Sequence, residues 1–459
     1  LGHSISNLHI DNYTPVGGFA PASMNSGMFG YLQSGSIANL SLFNASVIGT
    51  SSDGILAGEN LGIISGCYTS GSIINVANDF TTNTGGLVGR NFGVIQNSGA
   101  NVDVSLTTTE VYSYNIKLGG LVGSLNDYGI IRHSFATGAV TANNSAIFVG
   151  GLVGNVLSDV DIAPSITNSY ATGFVSNGSD PTTMFGLAPT GVATVINSWW
   201  DSSTTGVTGL VISEGNLVNA GTARSTSSAQ GSLNSLSDSA WSVAPGQYPY
   251  LKYLFPNGLQ TVSGIAYKAD GTVAASTAAG GAVKVNLTLD GVKQTPVSTG
   301  ANGYYYSALP ISIANDGTKR YPVGSTVTNV LAWTNANSTF SSNVYAVSQG
   351  LGSNDYNLSG LDLMAFGITT SLTRLSYLAE SDFSFPSVSA ALKAYSTTPD
   401  FLKNEEFNDF LITATGDSFT IDQSFDILAK SNLIIQTTQG DLSINTPINW
   451  SSNTKLTLS

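Results

Sequence analysis

Along residues 27–200 the apolar positions come in short alternating runs of aliphatic side chains, such as GLVG and SFATGAV, broken by Gly, Asn, Ser and Asp. Alternation of this kind marks strands with a buried face, and nothing in the region keeps a 3.6-residue period for long. The runs also recur. Related lines read GMFGYLQSGSIANLSL from Gly27, GILAGENLGIISGCYTSG from Gly54, GLVGRNFGVIQNSGA from Gly86, GLVGSLNDYGIIRHSFATG from Gly120, GLVGNV from Gly151 and MFGLAPTGVATVINSWWDSSTTG from Met184. Taking Gly30, Ala57, Gly89, Gly123, Gly154 and Gly186 as the last position of each box gives steps of 27, 32, 34, 31 and 32 residues.

A period in that range with strand-type composition predicts a solenoid, because one coil cannot bury its own aliphatic face and a stack can. The fold class expected is all-β: a right-handed parallel β-helix over residues 1–257. Leu87, Leu121 and Leu152 would form an inward ladder, with Val88, Val122 and Val153 on the opposite face. The pairs Gly85 and Gly86, Gly119 and Gly120, and Gly150 and Gly151 would mark corners with positive φ or close backbone approach. Asn97, His133, Asn168 and Asn197 open the second box, and stacked Asn predicts an amide ladder with His133 as its substitute rather than as a base.

The pattern changes after the last box. Residues 202–247 are rich in Ser, Thr, Gly and Asn, and SAWSVAPGQYPYLKYLFP then reads as the segment closing the solenoid's open end. Strand-like runs at short spacing over 258–358 predict a small antiparallel β-sandwich. Residues 359–404, with ITTSLTRLSYLAE, VSAALKAY and TPDFLKNEEF, predict a linker with short helices. Strict alternation from Phe410 predicts that 405–459 begins a second β-helix.

Composition narrows the chemistry. Only 9% of the 459 residues are charged and the net charge is −13, thinly spread, which argues against a nucleic-acid partner. Cys67 is the single cysteine, so no intrachain disulfide can form, and no zinc spacing occurs. No apolar run is long enough for a membrane-spanning helix. The chain opens on LGHSISN and stops in KLTLS, and is read as part of a longer parent.

No catalytic, metal or cofactor site is assigned, and no cofactor is expected. Asp127, Asp159, Asp161 and Asp201 are the acids in loop contexts, and Asp159 with Asp161 is the best carboxylate pair. Their plain reading is a solvated loop. Trp199, Trp200, Trp241, Tyr248 and Tyr250 are weak candidates for stacking a sugar, against a commoner capping role. His3, His9 and His133 are followed by Ser, Ile and Ser, not by the HExxH pattern of a zinc peptidase.

The GGLVG…NSYATG units resemble GLUG repeats, and NSWWDSSTTG followed by YPYLKYLFP resembles the end of such arrays in very large bacterial exoproteins of the filamentous haemagglutinin type. GLUG repeats also occur in some bacterial metallopeptidases that cleave immunoglobulin. SGIAYKADGT…GAVKVNLTLDG…TGANGYYYSALP resembles the Cna-B or carboxypeptidase-regulatory β-sandwich. Some of those domains carry a Lys–Asn isopeptide bond promoted by a buried Glu; no Glu lies between Glu214 and Glu380, so none is expected here.

These resemblances imply a non-catalytic, adhesin-like shaft or spacer, secreted or held on the outer bacterial surface. They imply two-partner export through an outer-membrane pore, and a host or bacterial surface glycan or protein as ligand. A β-helical polysaccharide-active enzyme and a carbohydrate-binding segment are the alternatives.

Overall fold

The computed structural model describes residues 2–12, 25–76, 82–106, 116–142, 147–159, 162–178, 181–189, 193–208 and 220–267, with shorter stretches beyond these out to 458. Two compact units emerge. The first is Leu1–Gly258 with Ala275–Ala282 and Ser298–Asn302, and the second holds the remainder.

The first unit contains a parallel β-solenoid of about 5 turns. One full coil runs through Thr82–Gly85, Val88–Asn91, Val94–Gln96 and Gly99–Leu106. Each of these strands pairs in parallel with its equivalent in the coils before and after. Four sheets therefore wrap one aliphatic core, in which Leu42, Ile64, Ile95, Ile131 and Ile166 are fully buried. The stack reaches past the six boxes in both directions. His3–Ser6 pairs with the strand from Leu40, and Thr222–Arg224 pairs with Trp199–Asp201.

Register corrects two box alignments. Val88 pairs with Ala57, so Gly58 rather than Ala57 matches Gly89. Gly150 pairs with Phe185, so Gly186 matches Gly151, the first glycine of the preceding box, and not Gly154. The degraded boxes have lost glycines of the GGLVG pattern, with Ile55 in place of one and Phe185 in place of another, and hydrogen bonding fixes the equivalence instead.

The expected split of Leu and Val onto opposite faces is also corrected. Leu87, Leu121, Leu152, Val88, Val122 and Val153 are all fully buried in one core. The box spans a corner between two sheets, where the chain changes direction and the alternation of a straight strand no longer holds. Glycine is needed there for close approach: a Cβ on Gly86 would stand 2.2 Å from the carbonyl oxygen of Gly120, and one on Gly120 would stand 2.2 Å from that of Gly151.

The Asn column serves a backbone purpose rather than an amide ladder. Asn97, His133, Asn168 and Asn197 have φ of 49°, 47°, 48° and 50°, and Gly66 occupies the same corner with φ 64°. That left-handed turn excludes most side chains and admits Gly, Asn and, less readily, His. Amide pairs form elsewhere: Asn60 Nδ2 donates to Asn91 Oδ1 and Asn44 Nδ2 to Asn7 Oδ1, each at 2.7 Å.

The residue after each corner builds a second ladder. Cys67 N–H donates to Ser98 Oγ, Ser134 N–H to Ser169 Oγ and Ser169 N–H to Ser198 Oγ, each at 3.1 Å. The hydroxyls of Ser98, Ser134, Ser169 and Ser198 in turn donate to the carbonyl two residues back. Cys67 takes the serine position, its thiol donating to the Ser65 carbonyl, which accounts for a buried lone cysteine without redox chemistry.

The second unit begins with antiparallel pairing of Leu259–Ile265 with Tyr304–Pro310, and of Lys284–Leu289 with Val330–Asn335. In the expected linker, Thr370–Arg374 is a strand paired with Asp409–Ala414, not a helix. Thr370 and Thr373 favour extended backbone, and the neighbouring strand supplies the hydrogen bonds. VSAALKAY and TPDFLKNEEF lie outside the described residues. From Asp409, parallel pairs Asp409–Asn432 and Leu433–Leu456, with Phe419–Leu442 on another sheet, set a constant shift of 23 residues. This is a second, smaller parallel stack.

Candidate functional site

The aromatic residues of the first unit form an outward column on the long sheet that runs from His3 to Arg224. Register places Tyr68, Gly99, Phe135, Tyr170 and Trp199 in line. Tyr170 and Trp199 stack at 4.6 Å and 5° between ring planes, and Phe135 stacks on Tyr170 at 5.6 Å and 14°. Gly99 leaves the gap its neighbour needs, since a Cβ there would lie 2.3 Å from the Phe135 ring.

Residues 237–255 lie along this column and shield it. Trp241 packs edge-on against Phe135 and also contacts Tyr170, while Phe255 meets Tyr68. Tyr170 Oη donates to the Pro249 carbonyl at 2.7 Å. The closing segment therefore covers the flank of the stack, where the sequence suggested its open end.

That packing withdraws four of the five sugar-stacking candidates from the surface. Trp199, Trp200, Trp241 and Tyr248 are buried, between 0% and 3% exposed, and only Tyr250 is half-buried. The rings of Trp199, Trp241 and Tyr248 pack against Tyr170, and Trp200 belongs to the aliphatic core.

The acids take structural parts. Asp201 is fully buried; its Oδ1 accepts from the N–H groups of Ser203 and Thr204, capping the short helix Ser202–Thr205, and its Oδ2 accepts from Tyr248 Oη at 2.6 Å. Burial raises its pKa, and the Tyr248 hydroxyl opposes that shift. Asp127 sits in a left-handed turn, and its Oδ1 accepts from the Asp159 N–H of the next coil at 3.0 Å. Asp161 lies outside the described residues, so the Asp159–Asp161 pair has no geometry here.

Asp53 was not singled out by sequence reasoning. It faces the core, fully buried, where its Oδ2 accepts from Asn75 Nδ2 at 2.9 Å and from the Ser51 N–H at 3.2 Å. Desolvation raises its pKa to about 6, with those hydrogen bonds pulling the other way.

A groove of about 610 Å³ opens where the Asn-type corners meet the covering segment. Gln96, Asn97, Arg132 and His133 line one wall, and Lys252 and Tyr253 the other. Gln96 Oε1 accepts from both Nε and Nη2 of Arg132, and Lys252 Nζ donates to the Asp238 carbonyl at 2.6 Å. His133 is held below its usual pKa, first by burial and then by the Arg132 charge. The Tyr253 ring lies where a Cβ on Gly66 would stand, and its hydroxyl bonds to Asn39 Oδ1. It nevertheless keeps 53% of its surface exposed. Among the described residues no group of three or more metal-ligating side chains gathers.

Of this groove, only Asn97 and His133 were singled out in the sequence, both for the corner. No pattern along the chain links position 132 to position 252. The pairing follows from how the covering segment is laid on the stack.

No protein-family model matches the chain, and no curated protein matches it. Among solved structures, a putative immunoglobulin A1 protease from Bacteroides ovatus is similar at 21% identity, over 55% of this chain and 76% of that one, with a TM-score of 0.39.

Proposed function

We propose that this chain is a non-catalytic shaft or spacer segment of a secreted or surface-attached bacterial exoprotein of adhesin type. The observation that carries the reading is the use made of its acids. Asp201 caps a helix and Asp127 ties its coil to the next, so both acids serve to hold the stack together. The GLUG-like repeats, the solenoid and the scarcity of charge support the same reading. Export through an outer-membrane pore belongs to it, since a chain with one cysteine folds without forming a disulfide.

The test is turnover. Purified chain is incubated with a panel of polysaccharides and with immunoglobulin A, and new reducing ends and new amino termini are measured. No product above the blank is expected. Product that disappears in Asp127→Asn or Asp159→Asn would overturn the proposal in favour of an enzyme.

A further inference from the structure

The groove between the corner column and the covering segment concentrates positive charge in a chain that has little. Only 15 of 459 residues are Lys or Arg against 28 acids, yet Arg132 and Lys252 face one opening, with the His133 imidazole, held below its usual pKa, beside them. Among the described residues no carboxylate lies within ion-pair distance of Arg132 or Lys252, whereas Arg90 pairs with Glu59 on a different sheet. Arg132 is instead held by the neutral carboxamide of Gln96, and Lys252 by a backbone carbonyl. Neutral partners fix the position of a cation and leave its charge available to a ligand.

The remaining lining suits a sugar. Tyr253 offers a half-exposed ring held by Asn39, and Asn97 brings a carboxamide, which donates to and accepts from hydroxyls, while Gln96 is engaged by Arg132 and Ser65. Aromatic surface beside a few convergent polar groups is the usual make-up of a small-ligand site.

We propose that this groove binds an acidic sugar, with the anionic group between Arg132 and Lys252 and the Tyr253 ring against the pyranose. This names a ligand class for the shaft and rests on reading the chain as non-catalytic. It differs from sugar stacking on Trp199 or Trp241, which are buried. The shared chemistry is an anionic substituent on a pyranose, and uronate and sulfated sugars are its two sources.

Binding to the whole chain is measured by calorimetry with four probes: a galacturonate tetrasaccharide, a sulfated heparin tetrasaccharide, a neutral cellotetraose and a glutamate tetrapeptide. One or both acidic sugars are expected to bind at least tenfold more tightly than cellotetraose and the peptide, and which of them binds identifies the source. Arg132→Gln and Lys252→Gln should each weaken that binding about tenfold, Tyr253→Ala should weaken it several-fold, and Arg90→Gln should leave it unchanged. Arg132 and Lys252 are exposed, so unchanged thermal melting is expected of their Gln variants and checked by circular dichroism; Tyr253→Ala also removes the bond to Asn39, so a lower melting temperature is expected of it alone.

Equal binding of cellotetraose, equal binding of the peptide, no binding of any probe, or indifference to Arg132→Gln and Lys252→Gln would each overturn the groove assignment. Cleavage of a bound probe would overturn the non-catalytic reading and leave the groove standing.

Discussion

A carboxylic acid in the core of a solenoid is tolerated when neighbours share the cost of its charge, and Asp53 shows how incomplete that sharing is. Its pKa of about 6 in the folded chain lies above the roughly 3.9 of an unfolded aspartate, so the folded state binds the extra proton between those values. Its contribution to stability therefore falls as pH rises through that window and stays low above it. Asp53→Asn, a neutral replacement of similar shape, should match the parent chain near pH 4 and exceed it at pH 7.5 by up to ~3 kcal/mol. Urea titration at the two pH values measures this; a variant less stable at both would mean that Asn75 and Ser51 require the charge. At the same scale, the corner residues explain an error of reading. Asn97, Asn168 and Asn197 invited an amide-ladder interpretation because Asn stacks well, but φ near 50° is what selects them, and a left-handed φ cannot be told from side-chain stacking in one-letter code.

At the scale of strands, the repeat was readable and its phase was not. GLVG boxes mark each coil because the corner needs glycine where the next carbonyl approaches, a constraint strong enough to survive in sequence at Gly86, Gly120 and Gly151. Where the box decays, at Ala57 and Gly186, hydrogen-bond register settles the alignment. The aromatic column is harder to read, since its members are spaced a coil apart and interrupted by Gly99. Its cover is more distant still: Trp241 meets Phe135 and Tyr170 across about a hundred and about seventy residues of chain. That distance is why the candidate rings looked available for a ligand. Trp241→Ala should remove a fully buried ring and its hydrogen bond to the Asn168 carbonyl, costing about 3–5 kcal/mol. Tyr250→Ala, at a half-buried position, should cost ~1 kcal/mol or less. Equal losses from the two in urea unfolding would show that the aromatic cover contributes little.

A solenoid made only of coil-to-coil contacts is a one-dimensional stack, stable by the sum of its neighbours and free to fray from either end. The covering segment changes that for the first unit, because it reaches several coils at once. Ser237 and Trp241 bond to Asn168, Tyr248 to Asp201, Phe255 meets Tyr68 and Tyr253 bonds to Asn39. Coils far apart in the stack thereby share one strap, and the groove lined by Arg132 and Lys252 exists only while the strap is seated. Native-state hydrogen exchange tests this coupling. In the parent chain, the amides of Tyr68–Asn75 and Gly99–Leu106 should open with one common free energy. In Phe255→Ala, which loosens the strap beside Tyr68, the Tyr68–Asn75 amides should exchange faster while those near Tyr170 and Trp199, still held by Trp241 and Tyr248, keep their protection. A uniform fall across every coil would show instead that the stack opens as one unit and that the strap adds stability without dividing it.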